Sequence, residues 1–189
     1  MRLTIAAVLV TSLLLSTPIS FAAPQANPPD DIDKPLADRS LLTQLGDHVG
    51  QVRHSVSEKA SELVVNAMGL LGVPYRRGGN SMETGFDCSG FVRAMYQQTV
   101  GLILPRRADQ QAAATQTIEK TDLQPGDLVF FNTMRRAFSH VGIYIGDNKF
   151  IHSPRSGAEV RVEDMRLSYW KTRFNGARRV ESSAAAAQP

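Results

Sequence analysis

Apolar residues along this chain change period twice, and the changes divide it into elements. Ala60, Leu63, Val64, Ala67, Met68 and Leu71 share one helical face, which predicts a helix beginning near Ser57. Ser55 and Glu58 have capping-box spacing, and Gly72 and Pro74 supply a stop. A second helical face runs from Cys88 through Phe91, Val92, Met95 and Tyr96, with Asp87 as its N-cap. Pro125-Gly126 then turns the chain into strands at 128–131, 141–145, 149–153, 159–162 and 176–180. Helices first and strands after predict an α+β fold with an antiparallel sheet.

The stretches without a clear period have meanings of their own. Residues 1–22 carry Arg2, an apolar run and a small-residue exit at Ala22-Ala23, the pattern of a secretory signal peptide. A membrane span is a poorer fit, because the run is short and Pro18 interrupts its end. No cysteine lies near the cleavage point, so no lipid anchor is expected. Residues 23–56 read as a polar, proline-punctuated linker followed by a short irregular segment. The alanine-rich region 105–120 is expected to be helical in part, 57–181 to form the main folded domain, and 182–189 to be a frayed tail.

Composition narrows the function classes. The 189 residues are 42% hydrophobic and 21% charged, as in a soluble globular protein, and the formal net charge is only +3. No basic stripe with interleaved aromatics appears, so a nucleic-acid partner is not expected. The single cysteine, Cys88, permits no intrachain disulfide and no multi-cysteine metal site.

A lone cysteine is most often a buried small hydrophobe. Cys88, however, stands at a helix start, where unpaired N–H groups and the helix dipole favour a thiolate. Its neighbours Asp87, Ser89 and Gly90 are polar or small. A nucleophile explains both facts, and a nucleophile needs a base. His48 and His54 fall in the irregular N-terminal region and read as solvated. His140 and His152 lie in one hairpin. A three-residue loop, Gly146-Asp147-Asn148, sets Tyr144 opposite Phe150 and Gly142 opposite His152. His140, Gly142, Tyr144, Phe150 and His152 then share one face, with the imidazoles diagonal neighbours about 7–8 Å apart at the backbone. A two-residue loop would put them on opposite faces. One histidine can activate Cys88 while the other orients it. The competing use is zinc held by Cys88, His140 and His152.

These residues resemble the NlpC/P60 family of cysteine peptidases. The resemblance runs through Gly72-Val73-Pro74-Tyr75-Arg76-Arg77-Gly78-Gly79, Gly85-Phe86-Asp87-Cys88-Ser89-Gly90-Phe91-Val92, Leu104-Pro105-Arg106 and Leu123 to Phe131. It continues with Ser139-His140-Val141-Gly142-Ile143-Tyr144-Ile145-Gly146 and Phe150-Ile151-His152-Ser153-Pro154. It implies a papain-like α+β core with Cys88 on a helix N-terminus packed on an antiparallel sheet. It further implies Cys88 as nucleophile, His140 as base and His152 as polar third member. Tyr75 matches a tyrosine that helps hold the oxyanion or the substrate. Asp87 and Ser89 match positions lining the substrate groove, a role compatible with helix capping, and Arg106 lies within a family motif and is expected to face the groove. Arg178-Arg179 reads as solvated charge. The implied activity is hydrolysis of peptidoglycan stem peptides or cross-links by an exported, periplasmic or secreted monomer, with no cofactor. An amidase or acyltransferase on the same core, or a non-catalytic wall-binding protein, are the alternatives.

Overall fold

A computed structural model of the chain describes residues 34–133 and 135–181. The expected signal peptide, the start of the linker and the tail lie outside the described residues. The chain divides between Gln44 and Leu45 into two units, and all the chemistry discussed below lies in the second.

Helix α1 spans Lys34–Met68, so residues 34–56 are continuous helix rather than linker and irregular segment. Pro35 explains the misreading. It breaks a helix interior, but in the first turn its missing N–H was an orphan anyway and its fixed φ suits the helix. The helix passes straight through Ser55 and Glu58, so no cap forms there. Leu63 and Ala67 are buried on the expected face, whereas Met68 and Leu71 are exposed, because the helix stops at Met68 and the face goes no further. His48 and His54 are exposed, as expected.

After α1 come β1 (Asn80–Ser81) and β2 (Gly85–Phe86), a two-stranded ribbon leading into α2 (Cys88–Thr99). Helix α3 (Ala108–Ala113) and strand β3 (Gln116–Ile118) occupy the alanine-rich region. Strands β4 (Leu128–Phe131), β5 (His140–Gly146), β6 (Lys149–His152) and β7 (Arg161–Asp164) follow. A short helix α4 (Ser168–Lys171) and strand β8 (Phe174–Arg179) complete the fold. The six-stranded sheet has the order β3-β8-β4-β5-β6-β7, and every neighbouring pair is antiparallel.

The central strands β4, β5 and β6 alternate between two apolar layers, as a period of two requires. Leu128, Phe130, Val141, Ile143 and Ile151 pack with Leu63 and Ala67 of α1, with Phe91, Val92, Met95 and Tyr96 of α2, and with α3. Val129, Phe131, Tyr144 and Phe150 pack on the other side with Met165 and Trp170. Arg178 and Arg179 are not merely solvated. The Arg179 guanidinium donates to both Asp127 carboxylate oxygens at 2.9 and 2.8 Å, and Arg178 donates to the Ala112 carbonyl, so both pin the last strand.

The β5–β6 hairpin reaches the expected sidedness by a different route. Its turn is two residues, Asp147 and Asn148 at φ 52° and 58°, with Gly146 paired to Lys149. Positive φ at both positions is the signature of the tight turn that matches strand twist. The register then shifts, so that Tyr144 pairs with Phe150 and Ile143 with Ile151, leaving Ile145 as a one-residue bulge. The bulge restores the facing that a two-residue loop alone would have reversed.

Candidate active site

The site forms where β5 begins, β6 ends and α2 starts. Cys88 is the first residue of α2, and Asp87 is its N-cap in extended conformation. The Asp87 carboxylate accepts from the Gly90 N–H at 2.7 Å and the Gly78 N–H at 3.0 Å. Arg106 grips it bidentately at 2.9 and 2.7 Å and also donates to Ser89 Oγ at 3.0 Å. Burial acts to raise the Asp87 pKa, but the Arg106 guanidinium and the two N–H donors outweigh it and hold the carboxyl below its ordinary range. Gln111 of α3 donates to the Ser89 and Pro105 carbonyls, tying the helix start to the loop that carries Arg106. A Cβ on Gly90 would lie 2.1 Å from the Gly79 carbonyl oxygen, so only glycine lets the first turn of α2 approach that loop.

Cys88 itself is half-buried and free. The helix start was expected to favour a thiolate, and here the resting site differs. Desolvation, with the Asp87 charge second, pushes the thiol up to about 11, against the lowering effect of the Val141, Ser89 and Cys88 N–H groups. Short-range N–H donors are outweighed by loss of water. Tyr75 stands close enough for the Cys88 and Asp87 charges to act on its phenol. Burial and those charges raise its pKa, so its hydroxyl keeps its proton at neutral pH.

The histidines meet as the hairpin predicts. His140 Nε2 and His152 Nδ1 are 2.6 Å apart, the rings nearly perpendicular at 83°. Gly142 lies between them in sequence, and a Cβ there would come within 2.6 Å of the Phe150 ring and 3.1 Å of His152 Cβ. Trp170 stacks on His140 at 5.8 Å and meets His152 edge-on at 5.1 Å, while Phe150 covers His152 at 4.7 Å. Burial and then the neighbouring His152 lower the His140 pKa well below 6.5, so the pair rests uncharged. For His152 burial is also the largest influence, and it prevails over the carboxylate of Glu163.

Sequence reasoning passed over Glu163 and Trp170. Glu163 Oε1 lies 3.7 Å from His152 Nε2, and its Oε2 accepts from the Trp170 indole N–H at 2.5 Å. The β6–β7 register sets Glu163 opposite Phe150 and so on the histidine face. The alternation of Arg161, Val162 and Glu163 held that signal, but only for a reader who knew the register.

The structure thus joins His140 to His152 and Asp87 to Ser89 and Arg106. Among the described residues no hydrogen bond links the Cys88 thiol to either imidazole, although the Val141 N–H, next to His140, acts on the sulfur. The zinc arrangement does not match this geometry. Two imidazoles each about 2.0–2.1 Å from one ion hold their nitrogens more than ~3 Å apart, whereas 2.6 Å is a direct hydrogen bond. Among the described residues, no group of three or more metal-ligating side chains is assembled, and no helix is long and apolar enough to cross a membrane.

Known proteins share this arrangement of elements. The chain is 43% identical over 127 residues to the murein DD-endopeptidase MepH of Escherichia coli, covering 65% of this chain and 47% of the relative. It is 37% identical over 140 residues to the gamma-DL-glutamyl hydrolase of Bacillus subtilis, covering 72% and 34%. The chain therefore spans about half or less of the length of these curated relatives. The crystal structure of an NlpC/P60 family protein from Bacillus cereus superposes with a TM-score of 0.59 at 37% identity, covering 64% of this chain and 39% of that one. The family model "NlpC/P60 family" matches residues 72–179, from the turn after α1 to the end of β8. That span holds all the site residues and more than half of the sequence: the chain belongs to the NlpC/P60 family.

Proposed function

We propose that the protein is a cysteine endopeptidase that hydrolyses peptide bonds in peptidoglycan stem peptides or cross-links, with Cys88 as nucleophile, His140 as base and His152 as its orienting partner. The observation that carries this reading is the 2.6 Å His140–His152 contact at the strand ends beside the α2 start that bears Cys88. Membership of the family, and relatives named for murein and glutamyl hydrolysis, supply the substrate class.

The resting electrostatics shape the mechanism. With a thiol near 11 and an imidazole well below 6.5, the pair is neutral before substrate binds. His140 Nε2 is engaged with His152, so Nδ1 is the nitrogen left to take the thiol proton as sulfur attacks the scissile carbonyl. The oxyanion falls to the Cys88 N–H at the helix start and to the protonated Tyr75 hydroxyl. His140 then protonates the leaving amine and activates the water that releases the acyl-enzyme. Asp87 and Ser89 line the groove, and Arg106 holds them there. This chemistry needs no metal or organic cofactor. The protein acts as a monomer after export to the periplasm or exterior.

The test is digestion of defined muropeptides by the purified protein and by Cys88→Ala. Product masses assign the bond, and they separate an endopeptidase from an amidase or acyltransferase. Equal rates for both proteins would refute the reading, and a wall-binding protein would show retention without cleavage.

A further inference from the structure

Beyond the three residues of that proposal, the histidine pair ends on a fourth group. Glu163 Oε1 faces the fully buried His152 Nε2 at 3.7 Å, and that nitrogen has no hydrogen-bond partner. The carboxylate cannot swing away. Arg161 donates to Oε1 through Nε at 2.6 Å, and Trp170 donates to Oε2. The same indole stacks on His140 and abuts His152, so one residue fixes both the carboxylate and the two rings it serves.

We infer that Glu163 is a positioning residue that selects the tautomer of both imidazoles and thereby leaves His140 Nδ1 as the bare nitrogen offered to Cys88. The inference rests on His140 being the base. An ionised carboxylate only accepts, so the nitrogen facing it carries hydrogen. A neutral imidazole has one N–H, so hydrogen on His152 Nε2 leaves Nδ1 as an acceptor. The 2.6 Å contact then requires His140 Nε2 to donate. His140 Nδ1 is left without a hydrogen. The opposite tautomer would aim the His152 Nε2 lone pair at a carboxylate and place hydrogen on His140 Nδ1, where a base must have none. At 3.7 Å the carboxylate acts by charge rather than as a full hydrogen-bond partner. It gains hold when His140 takes the thiol proton and the pair becomes cationic. The charged and titratable groups facing the imidazoles are each other from β5 and β6, Glu163 and Arg161 from β7, and, in the proposed mechanism, the Cys88 thiol at the start of α2; α4 contributes only the neutral indole.

The experiment combines ring ¹⁵N chemical shifts of His140 and His152 with steady-state kinetics on a defined muropeptide, for wild type, Glu163→Leu and Glu163→Gln. In wild type the shifts report hydrogen on Nε2 of both rings. In Glu163→Leu the tautomers mix, kcat falls about 10–100-fold with KM nearly unchanged, less than the ~10⁴-fold seen when a directly bonded tautomer-setting carboxylate is neutralised. Glu163→Gln, which keeps an acceptor oxygen, recovers part of kcat. In both variants the acid limb of kcat/KM moves to lower pH, because the lost negative charge had favoured the imidazolium. Wild-type tautomers in folded Glu163→Leu overturn the inference; if that variant does not fold, an unmoved acid limb in Glu163→Gln overturns it. A wild type that cleaves nothing refutes the peptidase reading, while the ring shifts still judge the tautomers.

Discussion

The two halves of the site are built on opposite principles. The Cys88 half is a cradle of charge: Asp87 caps the helix, Arg106 clamps Asp87, and Ser89 joins both, with the Arg106 side chain 35% exposed. The histidine half is an aromatic cage in which Trp170 and Phe150 exclude water from His152, which is fully buried. The cradle fixes geometry through directional bonds that tolerate solvent. The cage fixes protonation state through desolvation. The proposed neutral-pair mechanism needs both: one half to aim the sulfur and the other to keep the proposed base uncharged until substrate arrives.

The contrast can be broken in order of expected effect. His140→Ala removes the proposed base from the cage and should lower kcat about 10³-fold or more, with the fold intact by circular dichroism. A loss under tenfold would mean that Cys88 works without it. Arg106→Met strips the clamp from the cradle and leaves the largely buried Asp87 charge unpaired. It should cost about 2 kcal/mol in denaturant unfolding, less than the ~3–5 kcal/mol for a fully buried pair, because the guanidinium is partly solvated. If Arg106→Met instead left stability unchanged and abolished activity, Arg106 would belong to substrate rather than to Asp87. Trp170→Phe keeps a ring in the cage and removes the donor to Glu163. About 1 kcal/mol of stability should go with that charge-assisted bond, measurable as a shift in the urea midpoint.

The mildest test is pH. In the proposed role of base His140 works only when unprotonated, and burial sets its pKa well below the ordinary 6.5. Activity should therefore stay level through neutral pH, and kcat/KM should decline only on the acid side of 6.5. The alkaline change waits for the thiol near 11. An acid limb at or above 6.5 would mean that water reaches the cage.

Much of this was legible in the chain because it is local. The Asp87 cap and the Cys88 helix follow from one short stretch, residues 87–96. The histidine face follows from strand alternation, but the structure reaches it by a two-residue turn plus a bulge at Ile145, which yields the same facing as a three-residue loop. Glu163 and Trp170 were hidden because their place depends on how β7 registers against β6 after an intervening loop. Strand β3 was missed because its three residues pair only with a strand some sixty positions later. The start of α1 was obscured by Pro35, which signals a break or a beginning according to context. The depressed thiol acidity was beyond local reasoning, since desolvation belongs to the packed site rather than to the helix start.

One small bond has a consequence for how the molecule comes into being. Ser153 Oγ donates to the Phe86 carbonyl at 2.7 Å, joining the residue after His152 to the strand just before Cys88, across 67 positions of sequence. Closing so long a loop is entropically slow and comes after local helices and hairpins form. Cys88 and the imidazoles therefore meet only when nearly the whole domain has condensed. Without that closure a helix and a hairpin alone would not assemble the site, so the proposed activity is coupled to completion of folding.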